Sequence, residues 1–476
     1  MLDAIVVGSG PNGLAAAIRL AQAGMSVRVF ERMETPGGGT RSDELTLPGY
    51  LHDICAAIHP LSLASPFLRD LPLADFGLEW VHSEVPFGHA FSPDEALLVH
   101  RDLDRTADSL GRDGRAYRRM MRRYVENWPG LMDDFLGPLP LPPKHPVLMT
   151  RFGLTALQPA TMLAKRTYRD ERTRAIFAGA AAHSMLPLEW LTASGFGLML
   201  GVLAHGVGWP MAKGGSREIP RALVALLESL GGSVETGREI RSLDELPPAR
   251  IVLLDLTPKG VLRIAGDRLN ARYARELDRY RYGVGVCKVD WALSEPIPWK
   301  DPDLARTATV HIGGTLEQIA ESEREIWEGR FSEHPFIILV QPTLFDSGRA
   351  PESRHTAWAY CHTPHGSPED VTGLIEAEIE HYAPGFKDVI LARSSRTAVE
   401  MEAYNPNFVG GDINGGVQNL RQFFTRPAIR LNPYRIPGSF DGRKLYICSS
   451  ATPPGGGVHG MCGFYAAETV LRDSKK

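Results

Sequence analysis

The first 30 residues of the chain alternate between short apolar runs and a helical hydrophobic pattern. Residues 4–7 are apolar and rich in β-branched side chains, as is typical of a buried parallel strand. Residues 14–23 carry apolar side chains at helical spacing, and Gly24 follows them in the position of a helix C-cap. A second apolar run covers residues 26–30. The pattern predicts a strand, a turn, a helix and a second strand.

The rest of the chain divides by pattern into a helix-rich part and a strand-rich part. Between residues 71 and 174, charged helical stretches such as 102–126 alternate with the proline-rich segment 137–143, which indicates an inserted helical unit with stiff connectors. The pattern also predicts strands at 233–240, 282–293, 337–340, 356–360 and 444–448, and helices at 220–230, 374–381 and 461–472. We therefore expect an α/β protein in which a mixed β-sheet accompanies a helical insertion.

The stretch 175–212 is nearly free of charge, since Glu189 is its one formally charged residue. Its length would suit a membrane helix. However, Pro187 and Glu189 interrupt it, and glycines at 195, 197, 201, 206 and 208 weaken its second half as a helix. We expect buried helices that line a cavity, with a peripheral contact to one membrane face as the alternative.

The overall composition is that of a globular protein whose partners are not nucleic acids. Apolar residues make up 43% and charged residues 23% of the 476 residues, close to the averages of globular domains. Lys and Arg total 52 against 56 Asp and Glu, which gives a net charge of −4. Because a phosphate backbone attracts clustered positive charge, this balance excludes nucleic-acid binding.

The five cysteines form no CxxC pair, and their spacing matches neither zinc sites nor a disulfide framework. We therefore predict no metal site and a reduced, intracellular setting. The N-terminal apolar run has no basic residues before it and passes directly into Gly8, which is unlike a signal peptide. The expected location is the cytoplasm, and association with a membrane is the alternative.

A GxGxxG motif stands between the first predicted strand and helix. Gly8 permits a tight turn, Gly10 lets a pyrophosphate approach the backbone, and Gly13 allows close packing of helix on strand. The helix N-terminus offers free N–H groups and a partial positive charge to phosphates. Glu31, which lies 23 residues after Gly8, is placed to accept hydrogen bonds from ribose hydroxyls. The predicted contacts from the turn are Gly8, Gly10, Pro11, Asn12 and Gly13.

Glu31 and the residues after it limit which dinucleotide the site is expected to bind. An acid at this position argues against a 2′-phosphate and leaves NAD or FAD. Residues 37–42 form a second glycine-rich turn, which carries the guanidinium of Arg41, a group suited to a pyrophosphate. NAD domains have no need of this second turn, so it favours FAD. The predicted contacts from this segment are Arg32, Gly38, Gly39, Thr40 and Arg41.

With these two turns the chain resembles the FAD-containing family of amine oxidases, phytoene desaturases, carotenoid isomerases and retinol saturase. Residues 445–463, LYICSSATPPGGGVHGMCG, are similar to the phytoene desaturase signature, in which a strand delivers a glycine-rich turn and a helix N-terminus to the flavin. Residues 210–215 and 234–240 are similar to the family's middle return into the flavin domain. The resemblance implies contacts to FAD from Ile240, Ser450, Gly456, Gly457, His459, Gly460 and Met461.

Cofactor motifs near both ends of the chain require a fold that brings those ends together. We expect a Rossmann-like FAD-binding domain built from discontinuous segments, a mixed β-sheet substrate domain and a helical insertion that lines the substrate cavity. The expected bounds are 1–70, 205–260 and 435–476 for the FAD-binding domain, 71–204 for the insertion and 261–434 for the substrate domain.

The resemblance implies an FAD-dependent oxidoreductase that dehydrogenates or desaturates a largely apolar, isoprenoid or polyene substrate by hydride transfer to the flavin. The stretch 175–212 favours a small apolar substrate. No second strand–GxGxxG–helix pattern occurs in the sequence, so the expected electron acceptor is oxygen, a quinone or an unidentified protein. The alternatives are redox-neutral isomerisation, amine oxidation, and non-redox binding or escort of lipidated proteins.

Two histidines are the candidate catalytic residues. His459 lies in the glycine-rich turn expected to face the flavin, where it would act as an acid or base or bind the flavin. His59 follows the pyrophosphate segment, together with His52 and Asp53, in a stretch that approaches the flavin in related enzymes. A structural role for each of these three residues is the alternative. Lys213 is similar in position to the flavin-proximal lysine of amine oxidases, although the residues around it align poorly.

Aromatic residues at predicted strand positions are candidates for the walls of the substrate cavity, with burial in the core as the alternative. These residues are Trp209, His311, Trp358 and Tyr360.

Overall fold

The structure is a computed structural model that describes residues 1–138 and 142–475. The proline-rich connector predicted at 137–143 lies in part outside these ranges. The strands, in chain order, are β1 (Leu2–Val7), β2 (Val27–Phe30), β3 (Ser42–Glu44), β4 (Leu51–Asp53), β5 (Trp80–His82), β6 (Val85–Ser92), β7 (Glu95–Val99), β8 (Pro210–Ala212), β9 (Ser233–Glu235), β10 (Ala249–Leu254), β11 (Gly285–Leu293), β12 (Thr307–Ile312), β13 (Ile337–Val340), β14 (His355–Thr363), β15 (Ile390–Arg396), β16 (Arg435–Ile436) and β17 (Lys444–Ile447).

The helices, in chain order, are α1 (Pro11–Gln22), α2 (Pro60–Ala64), α3 (Leu103–Ser109), α4 (Gly114–Glu126), α5 (Trp128–Phe135), α6 (Pro146–Ala156), α7 (Ala160–Thr167), α8 (Glu171–Ala182), α9 (Ala193–Gly206), α10 (Glu218–Ser229), α11 (Pro258–Ala265), α12 (Ala271–Asp278), α13 (Leu316–Trp327), α14 (Thr372–Tyr382), α15 (Ala398–Tyr404), α16 (Leu420–Thr425) and α17 (Met461–Ser474).

The first sheet has the strand order β16-β17-β10-β1-β2-β9 and is parallel except at its edge strand β16. Helix α1 connects β1 to β2, which gives the βαβ unit of a Rossmann-like fold. Helices α1, α10 and α17 supply apolar side chains to the core on one face of the sheet. Helices α11 and α12 cover the other face. The predicted α/β fold with a Rossmann-like domain is confirmed.

The strands of this sheet come from three separate parts of the chain, because β9 and β10 lie in the middle and β16 and β17 near the C-terminus. The strand predicted at 233–240 ends at Glu235. Helices α11 and α12 share a core with β10, so the residues that pack on this sheet extend past 260, to about residue 278.

The second sheet is mixed and has the order β15-β11-β14-β13-β12-β6-β7. One face packs against α14, and the other faces α8 and α9. Strands β6 and β7 lie within the segment 71–204, which was expected to be helical, so that expectation was wrong for residues 85–99. The apolar pattern of β6 is interrupted by Pro86, Gly88 and His89, so the local sequence has little preference for a strand. Pairing with β12 stabilises the strand instead.

The nearly uncharged stretch 175–212 forms most of α8, all of α9 and the short strand β8. Ala178, Leu198 and Val202 are fully buried in the core between these helices and their neighbours. In the described ranges, none of the helices combines the length and apolar character that a membrane crossing requires. The prediction of buried helices is therefore confirmed.

Helix α17 packs closely on α1 through glycine. A methyl group at position 463 would lie 1.8 Å from the carbonyl oxygen of Asn12, which is backbone and cannot move aside cheaply. This contact fixes the C-terminal helix against the start of α1.

Replacement of Gly463 by alanine should therefore destabilise the protein by about 1–3 kcal/mol, the usual cost of overpacking a close contact. Gly153→Ala is the matched control, because a methyl group at this helical position meets open space and should be neutral or slightly stabilising. Urea unfolding of both variants measures the difference. Equal stability of the two alanine variants would contradict the packing account.

Candidate functional site

The turn from Gly8 to Gly13 has the geometry expected of the motif. Gly8 has a φ of +102°, which favours glycine, and a methyl group at position 13 would lie 2.1 Å from the carbonyl oxygen of Gly8. Pro11 begins α1, and Gly10 precedes it without a side chain to cap the helix. The first N–H groups of α1 therefore depend on an acceptor from elsewhere.

Asp255 supplies one such acceptor within the protein. It follows β10 directly, and its Oδ2 accepts a hydrogen bond from the N–H of Gly13 at 3.0 Å. The pKa of Asp255 is raised to about 7, chiefly by burial; the nearby Glu31 acts in the same direction, and hydrogen bonds from the N–H groups of Gly13 and Gly10 act in the opposite one. A group that is half neutral near pH 7 thus lies where the motif predicts a phosphate.

Asp255 was missed by the sequence analysis. The available signal was an acidic residue directly after the apolar run 249–254, because ligands bind at the carboxyl ends of parallel strands in open α/β sheets.

Glu31 is buried beside this turn, and both of its carboxylate oxygens are already engaged. One oxygen accepts from the N–H of Ser9 at 3.0 Å and from its hydroxyl at 2.7 Å. The other accepts from the N–H of Met33 and from the guanidinium of Arg41, each at 2.9 Å. Arg41 also donates to the carbonyl oxygens of Thr35 and Gly38. Arg41 therefore holds the second turn onto the first.

Many of the predicted dinucleotide contacts line one cavity, called the nucleotide cavity here. Its lining includes Gly8, Gly10, Glu31, Arg32, Gly38, Arg41, Ile240 and Asp255, together with residues 404–407. The two glycine-rich turns touch, since a methyl group at position 38 would lie 3.1 Å from the Cα of Gly10. The structure thus brings residues from the first, middle and C-terminal thirds of the chain to one place.

A larger cavity of about 310 Å³, the central cavity, continues from the same turn. It is lined by the predicted contacts Gly10, Pro11, Asn12, Gly38, Gly39, Thr40, Ser450 and Gly457, and also by Asp255. Four of its lining residues have a buried polar atom with no hydrogen-bond partner among the described residues: Asn12 Oδ1, His59 Nδ1, Trp358 Nε1 and Asn414 Nδ2. Such atoms are costly unless a ligand satisfies them. The lining therefore fits an elongated polar cofactor that runs along the turn.

An adjoining cavity of about 210 Å³, the apolar cavity, shares Leu61, His183, Leu200, Asn414 and Gly457 with the central cavity. Its remaining lining is mostly hydrophobic and includes Phe135, Phe196, Met199 and Phe423. Gly456 and His459 also lie on its wall.

The predicted contacts Gly13, Gly460 and Met461 line none of these three cavities. Gly460 instead packs against α1, because a methyl group there would lie 2.9 Å from Cβ of Ala15.

His59 lies on the wall of the central cavity in a defined tautomer. The hydroxyl of Ser216 donates to the carbonyl oxygen of Ala56 at 2.6 Å, so Nε2 of His59 must donate to Ser216 Oγ across their 2.8 Å separation. Nδ1 of His59 then carries a free lone pair. Burial lowers the pKa of His59 to about 4, so the ring is neutral at pH 7.

His459 is fully buried on the wall of the apolar cavity. Its Nδ1 accepts a hydrogen bond from the N–H of Met461 at 3.0 Å, so the neutral ring carries its proton on Nε2. Burial lowers the pKa of His459 to about 4, although the carbonyl groups of Gly455 and Gly456 favour the protonated ring. This bond satisfies one of the free N–H groups at the start of α17.

The other sequence candidates divide between the cavity wall and the interior. Trp209, Trp358 and Tyr360 line the central cavity. His311 is buried behind that wall.

Three candidates near the predicted flavin segment do not line these cavities. Asp53 forms a fully buried ion pair with Arg349, and His52 is buried 3.6 Å from Asp290. Lys213 is exposed and paired with Glu79 at 2.8 Å. Its similarity in position to the lysine of amine oxidases therefore does not extend to a place in the cavity.

The raised pKa of Asp255 predicts a specific pH dependence of stability. Because its pKa rises from 3.8 in the unfolded chain to about 7 in the fold, the folded protein keeps a proton that the unfolded chain releases. The free energy of unfolding should therefore fall as the pH rises from about 4 to about 7.

Asp255→Asn should flatten this dependence, since the amide does not titrate. Urea unfolding across this range, without added dinucleotide, measures the slope. Asp43→Asn, at an exposed position on β3, is the matched control and should keep the wild-type slope. A slope that survives unchanged in Asp255→Asn would refute the assignment.

Comparison with known proteins agrees with this geometry. Residues 6–71 match the family model described as an NAD(P)-binding Rossmann-like domain. The chain is 26% identical to pyridine nucleotide-disulfide oxidoreductase domain-containing protein 2 of Rattus norvegicus, over 99% of this chain and 94% of the relative. It is 25% identical to the zeta-carotene-forming phytoene desaturase of Myxococcus xanthus, over 95% and 90% of the two chains.

Among solved structures, a putrescine oxidase bound to putrescine superposes with a TM-score of 0.62 at 19% identity and covers 99% of both chains. This similarity shows a shared fold. The predicted resemblance is confirmed: the chain has a Rossmann-like domain, and it is similar along nearly its whole length to proteins named as an oxidoreductase and a phytoene desaturase.

Proposed function

We propose that the protein binds FAD and dehydrogenates a largely apolar substrate. The observation that carries this proposal is the continuity of the site, because the nucleotide cavity, the central cavity and the apolar cavity follow one another along shared lining residues. A cofactor at the turn of α1 and an apolar molecule in the adjoining space would therefore meet.

FAD is favoured over a nicotinamide dinucleotide by the length and lining of the cradle. Glu31 and Ile240 would hold the adenosine half, and the glycines of the two turns would face the pyrophosphate. Asn12 and Asn414 would direct their free polar atoms at the remaining part of the cofactor. FAD, when bound, supplies a hydride acceptor.

The apolar substrate is supported by the lining of the two inner cavities. Among their described lining residues, Asp255 at the nucleotide end is the one acidic or basic residue other than histidine. Burial lowers the pKa values of the three lining histidines, to about 4 for His59 and His459 and to about 3 for His183, so all three are neutral at pH 7. An amine substrate would find no carboxylate beside it, so amine oxidation is less well supported than dehydrogenation.

Dehydrogenation removes a hydride from one substrate carbon and a proton from the next, and a carbon–carbon double bond forms. His59 is placed to take up the proton, since its Nδ1 lone pair is free and the residue lines the central cavity. Oxygen, a quinone or a protein would accept the electrons. Redox-neutral isomerisation and non-redox lipid binding remain the competing proposals, and anaerobic bleaching of the flavin by candidate lipids, amines or polyenes separates the three.

A peripheral contact with a membrane is supported by apolar side chains near the apolar cavity. Phe424 is 59% exposed and follows Phe423 of the cavity lining, and Leu191 is 48% exposed beside the lining residue Thr192. A substrate taken from a membrane would reach the cavity past such residues.

The FAD proposal predicts a yellow, releasable flavin in the purified protein and a weaker hold on it in Glu31→Ala. Loss of charge-assisted hydrogen bonds worth about 1.5–3 kcal/mol lowers affinity roughly 10- to 150-fold. Equilibrium dialysis with FAD measures the change. Glu44→Ala, at an exposed position on β3, is the control. Absence of any bound or reconstitutable FAD would overturn the proposal.

His459 is proposed to support the flavin turn rather than to transfer protons, because its Nδ1 is already committed to the N–H of Met461. His459→Ala should lower flavin content and the thermal midpoint. His459→Asn should restore part of both, since an amide oxygen can accept the same bond. Flavin content and thermal unfolding are measured for the wild type and both variants. If His459→Ala kept native flavin content and stability but reduced its flavin 10²- to 10⁴-fold more slowly, His459 would instead be assigned to acid–base catalysis.

A further inference from the structure

One face of the second sheet forms the far wall of the central cavity. Side chains alternate along its strands, so Thr309 of β12, Ile338 of β13 and Tyr360 of β14 face the cavity. Their neighbours Val310, Ile337, Leu339, Ala359 and Cys361 lie in the core on the opposite face. The wall is therefore a rigid sheet surface.

Tyr360 presents an unused hydroxyl to this cavity. The residue is partly exposed, and its hydroxyl forms no hydrogen bond with other described residues, although Trp358 stacks beside its ring at 5.9 Å. Burial raises the pKa of Tyr360, so the hydroxyl keeps its proton at neutral pH. Tyr360 is thus a neutral donor without a protein acceptor.

His183 forms a second polar point on the wall. Its Nε2 lies 2.9 Å from Nε2 of His311. Burial lowers the pKa values of both rings, so both are neutral, and one ring donates its N–H to the other. Nδ1 of His311 is buried without a partner among the described residues. A proton on that atom would be an unpaired buried donor, so the favoured arrangement has His311 donating from Nε2.

In this arrangement Nε2 of His183 accepts, and its Nδ1 carries the proton. His183 is partly exposed and lines both the central and the apolar cavity, and Nδ1 has no acceptor in the described part of the chain. Nδ1–H is therefore a second neutral donor.

These two donors belong to one region of the wall, which also holds the unpaired indole N–H of Trp358 beside Tyr360. Tyr360 pairs with Ile338 across β14 and β13, and Ile338 pairs with His311 across β13 and β12. Two strand spacings put the backbones of Tyr360 and His311 about 10 Å apart, with His183 packed on His311. A molecule of modest size can reach both.

We infer that the sheet-wall side of the central cavity, beyond the turns where the cofactor is proposed to lie, takes a neutral molecule held by Tyr360 and His183. This molecule has an apolar body and at least one oxygen that accepts hydrogen bonds, as in an alcohol, aldehyde, ketone or ester. A pure hydrocarbon would leave both donors unpaired, which a site built in this way penalises. A carboxylate would meet no cation on the lining, and an ammonium group no anion near the wall. This inference rests on the proposed function for the claim that the bound molecule is the substrate.

The inference is tested by measuring how three probes with the same carbon skeleton bind to the FAD-loaded protein under argon. Geraniol carries a hydroxyl, 2,6-dimethylocta-2,6-diene carries no heteroatom, and geranylamine carries a cation. Calorimetry and flavin difference spectra measure the affinities. We expect geraniol to bind at least 10-fold more tightly than either other probe.

Tyr360→Phe and His183→Phe should each reduce this preference, and the double variant should reduce it most, while hydrocarbon affinity stays within about twofold. The indole N–H of Trp358 remains as a donor in that variant. His183→Gln, which retains an N–H donor, should keep most of the preference. Trp209→Phe is the matched control and should also keep it, because the indole N–H of Trp209 already donates to Thr309 at 2.8 Å on the same wall.

The inference would be overturned if geraniol bound no more tightly than the hydrocarbon, or if geranylamine bound more tightly than geraniol. It would also be overturned if no probe bound measurably, or if the double variant kept the full preference for geraniol. Flavin reduction by hydrocarbons without an oxygen preference would overturn it and leave the proposed function standing. An oxygen preference without flavin reduction by any tested compound would support the inference and count against the proposed function.

Discussion

The free N–H groups at the start of α1 are the constraint around which the site is arranged. A helix that begins at Pro11 after Gly10 has no side-chain cap of its own, so an acceptor must come from another part of the chain or from a ligand. Asp255 reaches this position from the end of β10. A phosphate bound there would lie beside the same carboxyl group. The neutral form of Asp255 is then the compatible one, since two negative charges in a buried site repel each other.

Burial sets the electrostatics of the remaining site. Several charged side chains deep in the structure are paired, as Arg349 is with Asp53 and Lys288 with Asp290, and these two pairs lie outside the cavity linings. Apart from Asp255 at the nucleotide end, the polar groups on the inner walls include hydroxyls, amides and neutral imidazoles, which cost less to desolvate than ions. Such walls select a ligand by the position of its polar atoms and disfavour ions of either sign.

The parts of this fold that the sequence predicted depend on local signals. The turn at residues 8–13 and the helix after it follow from glycine spacing and a helical hydrophobic pattern, and both occur in the structure. Strands β6 and β7 were not predicted, because their stability comes from pairing with β12, which is more than 200 residues away in sequence. The role of Asp255 depends in the same way on a contact across 242 residues. His183 carried only a weak signal, as a histidine within a nearly uncharged stretch.

The C-terminal segment shows why a site of this kind needs both ends of the chain. After β17, the chain brings Gly460 against α1, and Gly463 fits against the backbone of Asn12 with no room for a side chain. A methyl group at position 456 would likewise lie 2.5 Å from the carbonyl oxygen of Asn414. Glycine at these two positions thus lets three backbone segments meet at one corner of the central cavity. His459 lies within this packed segment, and the N–H of Met461 fixes its ring through Nδ1, which supports the structural role proposed for it.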